Sequence, residues 1–273
     1  MKVDYIECGD CLELMKKLPD KSIDLTVTSP PYDNLRSYKG YSFDFKNIAK
    51  ELYRITKPGG VIVWVIGDQT KNGSETGTSF KQALYFKEIG FNIHDTMIYD
   101  KGNCPFPEKI RYYNCFEYMF VFSKGKPKTF NPIQDRKNKC GGEKIKSTTL
   151  RQKNGKLKRT SAEINNTGRK IKEFGFRFNI WQISPGKGKS TLDDYAFKHP
   201  AIFPEQLAND HILSWSNEGD LIFDPFLGSG TTAKMAVLNN RHYIGFEISE
   251  EYFDIACKRL DEVEKGEIIW KKI

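Results

Sequence analysis

Ile23-Asp24-Leu25-Thr26-Val27-Thr28-Ser29-Pro30-Pro31-Tyr32 decides how this chain is read. The first six residues are rich in β-branched side chains and alternate in polarity, which predicts a strand entering a buried sheet. Two consecutive prolines must end it, because each fixes φ, lacks an N–H and biases the residue before it to an extended conformation. Ser29 to Pro31 should then form a rigid turn at the strand's carboxyl end, with carbonyls left unpaired. Ser29 Oγ and the Pro30 carbonyl become neutral acceptors in fixed positions, with the flat ring of Tyr32 immediately beside them. Acceptors next to an aromatic face suit a planar ligand carrying an NH2 group, such as adenine or cytosine. Taken alone, the same letters also describe an ordinary strand-ending turn with a core tyrosine, so the rest of the chain has to choose.

On either side, strand and helix signals alternate. Val3 to Cys8 reads as a strand, and a helix carries Leu12, Met15 and Leu18 on one side. Asp44 to Thr56 is amphipathic, with Phe45, Ile48, Ala49, Leu52 and Ile55 in phase, and Lys57-Pro58-Gly59-Gly60 should stop it. Val61 to Ile66 is a continuous apolar run, as expected of a strand covered on both faces of a parallel sheet. Ser79 to Ile89 reads as a helix capped by Gly90, and Phe91 to Tyr99 and Phe116 to Ser123 as strands. Beyond the middle of the chain come a helix from Pro204 to Trp215, a strand from Asp220 to Asp224, a helix after Gly230, a strand from Tyr243 to Phe246 and a helix from Glu250 with Phe253, Ala256, Leu260 and Val263 on one stripe. This alternation predicts an α/β fold built on a doubly wound, mostly parallel sheet.

Charge is distributed unevenly along the 273 residues. Lys124 to Arg177 holds 17 Lys+Arg against 4 Asp+Glu, leaving only 26 of the chain's 43 basic residues against 31 of its 35 acidic ones elsewhere. All the excess positive charge therefore sits in one segment, the electrostatic footprint of a polyanion partner, nucleic acid first. From Lys124 to about Lys172 periodicity stops, which predicts a loop-rich insertion that is ordered poorly or only on binding. No apolar run approaches the ~20 residues that span a bilayer, and the amino terminus has no apolar signal-peptide core, so a cytoplasmic protein without a membrane partner is expected. Of the six cysteines only Cys8 and Cys11 have metal-like spacing, without a second close pair; reduced thiols and no metal are expected.

The second chemical motif follows the strand ending at Asp224. Gly228-Ser229-Gly230 before a helix amino terminus lets the backbone approach a ligand closely and presents free N–H groups. Nineteen residues after Gly228, Glu247 ends the next strand, at the distance where an acidic residue grips ribose hydroxyls in nucleoside-binding α/β folds. A phosphate-binding loop is excluded: Gly228-Ser229-Gly230 lacks the required lysine, and Gly188-Lys189-Ser190 lacks its upstream glycine, that position being Ile183. The three-glycine dinucleotide pattern fails at Lys234. A nucleoside without pyrophosphate fits better, with S-adenosylmethionine the leading candidate.

Thr28-Ser29-Pro30-Pro31-Tyr32, His199-Pro200-Ala201-Ile202-Phe203-Pro204-Glu205, Asp224-Pro225-Phe226-Leu227-Gly228-Ser229-Gly230-Thr231-Thr232 and Ile244-Gly245-Phe246-Glu247 together resemble the β-group exocyclic-amino DNA methyltransferases, which modify cytosine N4 or adenine N6. The resemblance covers nearly the whole chain outside the basic insertion, and the motif order matches: catalytic motif, recognition region, cofactor loop. It implies an S-adenosylmethionine-dependent methyltransferase fold with circularly permuted motifs. Residues 1–123 would be the catalytic half, 124–180 a basic target-recognition insertion and 181–273 the cofactor-binding half. It further implies that Ser29, Pro30, Pro31 and Tyr32 hold and stack on a base flipped from double-stranded DNA. Phe226, Gly228, Ser229, Gly230 and Thr231 would cradle the cofactor at the end of the Asp224 strand, Glu247 would hold its ribose, Asp10 would reach its adenine, and His199 to Phe203 would wrap its methionine end. Members with Ser-Pro-Pro-aromatic mostly methylate cytosine N4, which Ser29 therefore favours over adenine N6. A cognate restriction endonuclease is a further partner the resemblance admits, and either a monomer or a homodimer is compatible with it. Two rivals are weaker. RNA and protein-glutamine methyltransferases carry their Asn-Pro-Pro-Tyr after the cofactor loop, and a DNA-binding protein that had lost catalysis would not need both motifs intact.

Overall fold

The computed structural model describes residues 1–31, 43–103, 109–144, 148–160 and 170–266. Its central sheet has eight strands, numbered here in chain order: β1 (Tyr5–Cys8), β2 (Ile23–Thr28), β3 (Thr56–Ile66), β4 (Asn92–Asp100), β5 (Phe116–Ser123), β6 (Ile180–Gln182), β7 (Leu221–Asp224) and β8 (His242–Glu247). Their spatial order is β1-β8-β7-β2-β3-β5-β4-β6, and only β5 runs antiparallel to its neighbours. The helices are α1 (Cys11–Met15), α2 (Phe45–Ile55), α3 (Thr78–Glu88), α4 (Glu205–Trp215), α5 (Thr231–Leu238) and α6 (Glu250–Glu264).

The order of the strands positions the site. From β7 the chain crosses through α5 to β8 on one side; from β2 it crosses through α2 to β3 on the other. Parallel crossovers share one hand, so these two helices lie on opposite faces and leave a crevice between the carboxyl ends of β7 and β2. β2 is buried along nearly its whole length and β7 along all of it, with Leu25, Val27, Ile222 and Phe223 in the interior. Around them Trp64, Phe86, Phe120, Phe122 and Phe246 fill the core, and Trp64 Nε1 donates to Gln82 Oε1 at 2.8 Å.

Lys57-Pro58-Gly59-Gly60 does more than stop α2. It lies inside β3, which advances five residues from Thr56 to Val61 while β2 advances two from Ile23 to Leu25. This bulge needs glycine: a Cβ on Gly60 would sit 2.8 Å from Thr56 Cγ2 and 2.9 Å from the Lys57 carbonyl.

The chain divides into two units, Met1–Asn131 with Asn179–Ile273, and Pro132–Phe178. Residues 124–131 belong to the first: Lys124 Nζ donates to the carbonyls of Tyr53 and Thr56, and Lys128 N to that of Gly59. Within the second, Arg136–Lys137 pairs antiparallel with Phe174–Gly175, and Thr148–Arg151 with Leu157–Thr160. Arg177 forms an ion pair with Asp135, and the Arg136 guanidinium lies 4.5 Å from the Phe178 ring. The described part of the basic insertion thus contains strand pairs where the sequence predicted loops. Short pairs held mainly by backbone bonds need no buried face, so they leave no hydrophobic alternation to read. Among the described residues no helix is long and apolar enough to cross a membrane, and no group of three His, Cys, Asp or Glu could hold a metal.

Candidate active site

The catalytic motif and the glycine loop, almost 200 residues apart in the chain, meet at the crevice between β2 and β7. Thr28, the last residue of β2, is fully buried and donates through Oγ1 to Asp224 Oδ1 at 2.6 Å. Thr232 Oγ1, in the first turn of α5, donates to the Val27 carbonyl at 3.1 Å. Ser29, Pro30 and Pro31 therefore leave the sheet beside the loop that follows β7. Pro30 is buried and its two neighbours are half-buried. Tyr32 lies outside the described residues.

Asp224 is held by two donors: Thr28 Oγ1 at 2.6 Å and the Phe226 N–H at 3.0 Å both bond to Oδ1 of its carboxylate. Burial still pushes its carboxyl up to about 6, because desolvation outweighs those bonds and the Glu247 charge adds to it. Beyond it the loop closes tightly. Gly228 has φ +55° and Gly230 φ +84°, and a Cβ on Gly230 would stand 2.9 Å from that of Ala256 on α6. Glycine is thus needed for helix approach as well as for backbone conformation. The Phe226 ring lies half-buried, edge-on to Trp64 and Phe43.

Glu247 ends β8 on the same edge. Its Oε2 accepts from Gly228 N at 2.7 Å and its Oε1 from Ser249 N at 2.9 Å, so it ties the loop to the strand beside it. Burial raises its pKa, and the backbone N–H bonds only partly counter this. Asp10 follows β1, whose Cys8 is in register with Glu247, and its Oδ1 accepts from Leu12 N and Glu13 N at 2.8 and 3.1 Å. Asp10 is therefore the amino-terminal cap of α1, placed at the carboxyl edge beside Glu247.

The segment before α4 forms the other wall. His199 follows a 3-10 turn, Asp194–Lys198, and lies over the loop: a Cβ on Gly228 would come within 3.1 Å of its Nε2. Its Nδ1 accepts from Ala201 N at 3.2 Å, which places the proton of the neutral ring on Nε2, and Tyr252 meets the ring at 4.4 Å. Phe203 is half-buried just before Pro204.

Sequence reasoning missed what lies behind the loop. Arg259, wholly buried, donates to Asp193 Oδ2 at 2.7 Å, Glu205 Oε1 at 2.6 Å, the Ser229 carbonyl at 2.8 Å and Thr231 Oγ1 at 3.0 Å. Lys234, also buried, bonds the same two carboxylates at 2.7 and 2.6 Å. Burial alone would raise the Asp193 pKa, but the charges of Arg259 and Lys234 and their hydrogen bonds hold it below the usual carboxylate range. Ser229 and Thr231 thus turn their hydroxyls to the protein interior. A signal for this existed: Arg259 falls between Ala256, Leu260 and Val263 on the buried stripe of α6, where a lone cation demands a partner.

Two prolines ending one strand beside a glycine loop after its neighbour, at the carboxyl edge of a mostly parallel sheet, are the arrangement of a Rossmann-like methyltransferase fold, and comparison with known proteins narrows it. The DNA methylase family model for the N6 and N4 enzymes matches residues 23–258, and the chain belongs to that family. It is 64% identical over 249 residues to the orphan methyltransferase M.BamHII of Bacillus amyloliquefaciens, covering 90% of this chain and 92% of that one. It is 29% identical to the Type II methyltransferase M.ScaI of Streptomyces caespitosus, over 93% and 80% of the two chains. In fold it is similar to the cytosine-N4-specific PvuII DNA methyltransferase, with TM-score 0.65, 22% identity and 97% and 91% coverage. It is also similar to M1.HpyAVI in its complex with S-adenosylmethionine, with TM-score 0.61, 24% identity and 94% and 98% coverage.

Proposed function

We propose that this DNA methylase transfers the methyl group of S-adenosylmethionine to the exocyclic amino group of a base flipped out of double-stranded DNA, cytosine N4 being favoured over adenine N6. The observation that carries the reading is the Thr28–Asp224 hydrogen bond, which sets Ser29-Pro30-Pro31 beside the loop that holds Gly228 and Gly230. One ligand on each side of that bond would bring an amino group to a methyl donor.

The residues present fit a nucleoside bearing a positive charge. Asp10 and Glu247 put carboxylates along the edge, Gly228 lets His199 close over the loop, and the Phe226 ring offers an apolar flank. The buried cations behind the loop, Lys234 and Arg259, are committed to Asp193 and Glu205, so a pyrophosphate would gain nothing from them. When bound, S-adenosylmethionine supplies an electrophilic methyl group on a sulfonium, which leaves as a neutral thioether.

The chain's own contribution is positioning. An aromatic amine is a weak nucleophile because its lone pair is delocalised into the ring. Ser29 Oγ and the Pro30 carbonyl accept its two N–H groups, which turns the lone pair toward the donor; Tyr32 stacks on the base and keeps it extruded. As the new N–C bond forms the nitrogen becomes cationic and strongly acidic, and it loses one proton to water, since neither a neutral hydroxyl nor a carbonyl is basic enough to keep it. Neither a covalent enzyme intermediate nor a metal is needed for this displacement.

Ser29 supports cytosine, since Ser-Pro-Pro-aromatic accompanies N4 methylation in the group that the motifs resemble. Single-molecule sequencing of DNA treated with the protein tests both substrate and base: N4-methylcytosine at one recognition sequence is expected. Adenine as the only modified base would overturn the choice of cytosine, and unmodified DNA the whole reading.

A further inference from the structure

We propose that Arg259 is a positioning residue for the cofactor, holding both walls of its site through one guanidinium. This rests on the reading that S-adenosylmethionine lies against the Gly228–Gly230 loop. Ser229 is flanked by two glycines of positive φ, whose backbone is permissive, so even with Gly230 N bonded to the Leu227 carbonyl at 2.9 Å the orientation of its peptide gains from a further hold. Arg259 supplies it: Nη1 donates to the Ser229 carbonyl at 2.8 Å, to Ser229 Oγ at 3.2 Å and to Thr231 Oγ1 at 3.0 Å.

The other two nitrogens of the guanidinium hold the opposite wall. Nε bonds Asp193, immediately before the 3-10 turn that leads to His199, and Nη2 bonds Glu205, the first residue of α4. The segment carrying His199 over Gly228 is thus pinned at both ends by the same side chain that pins the loop. Lys234 completes the arrangement by bonding both carboxylates, so two cations face two anions and the cluster is electrically balanced. Thr191 adds a hydroxyl that donates to Glu205 at 2.6 Å and accepts from Asp193 N at 3.1 Å. A planar fork with donors in three directions is required; the ammonium of a lysine keeps the charge but cannot reach loop and segment together.

The test is Arg259→Lys, with Thr191→Val as a milder second variant that removes one hydroxyl and no charge. In Arg259→Lys, calorimetry should show S-adenosylmethionine bound at least about tenfold more weakly. kcat at saturating cofactor should stay within about threefold of the parent, and DNA affinity without cofactor within about twofold. Thr191→Val should weaken cofactor binding about threefold with the same split. A folded Arg259→Lys protein with unchanged cofactor affinity, or with its loss in kcat rather than in KM for the cofactor, overturns the proposal. If Arg259→Lys does not fold, unchanged affinity in Thr191→Val overturns it alone. Glu247→Gln separates the two levels of inference. If it too binds cofactor normally, the placement of the cofactor at this edge is wrong; if it loses binding while the Arg259 and Thr191 variants do not, only the positioning role falls.

Discussion

Asp224 shows how much a single buried group can weigh. Its carboxyl is pushed up to about 6 by burial, against about 3.9 in an unfolded chain. A raised folded value means that the native state holds the proton more tightly. The group's stabilising contribution is therefore complete below about pH 4 and lost as the pH rises through 6, and above that the ionised form costs up to about 3 kcal/mol. Asparagine keeps an acceptor for Thr28 Oγ1 and Phe226 N and removes the charge. Asp224→Asn should be more stable than the parent in urea denaturation at pH 8, and the two should converge near pH 4; a variant less stable at pH 8 would show that the charge is needed. Tyr32→Ala should bind cofactor like the parent and lose most of its turnover, and near-normal turnover would remove it from the stacking role.

At the scale of elements, periodicity and glycines carry most of the information. α4 buries Leu207, Ala208, His211, Ile212 and Trp215 at helical spacing, together with the polar Glu205, Asn209, Asp210 and Ser214, so it is enclosed nearly all round. The stripe of α6 is equally legible in Ala256, Leu260 and Val263, but Arg259 belongs to it too, and a pattern of apolar letters passes over a charge that is buried because its partners come from three other segments. Gly230 joins the two levels. Its φ of +84° and the 2.9 Å that a Cβ would leave to Ala256 predict that Gly230→Ala loses about 2 to 4 kcal/mol of stability, from backbone strain and overpacking together. Thermal unfolding measures this, and a loss below about 0.5 kcal/mol would mean that α6 yields.

For the whole molecule, charge and strand order matter most. The unit Pro132–Phe178 carries 14 Lys+Arg against 4 Asp+Glu, with Lys137, Lys139, Lys170 and Lys172 exposed. Changing those four to glutamine should reduce the salt slope of DNA binding by up to about 3 to 4, since each phosphate contact contributes about 0.9; an unchanged slope would make the block a solvated surface. Local letters were enough for the alternating α/β pattern, for the end of β2 before Pro30-Pro31, for the glycine loop and for the position of the basic block, because prolines, glycines, periodicity and charge act over a few residues. They could not place Thr28 against Asp224, close Arg259 on Ser229, or show that Lys234 faces carboxylates rather than a ligand. Those contacts exist because parallel crossovers bring β2 beside β7 and fold three distant segments behind one loop, and a burial cost that only partners far along the chain can offset has no local signature.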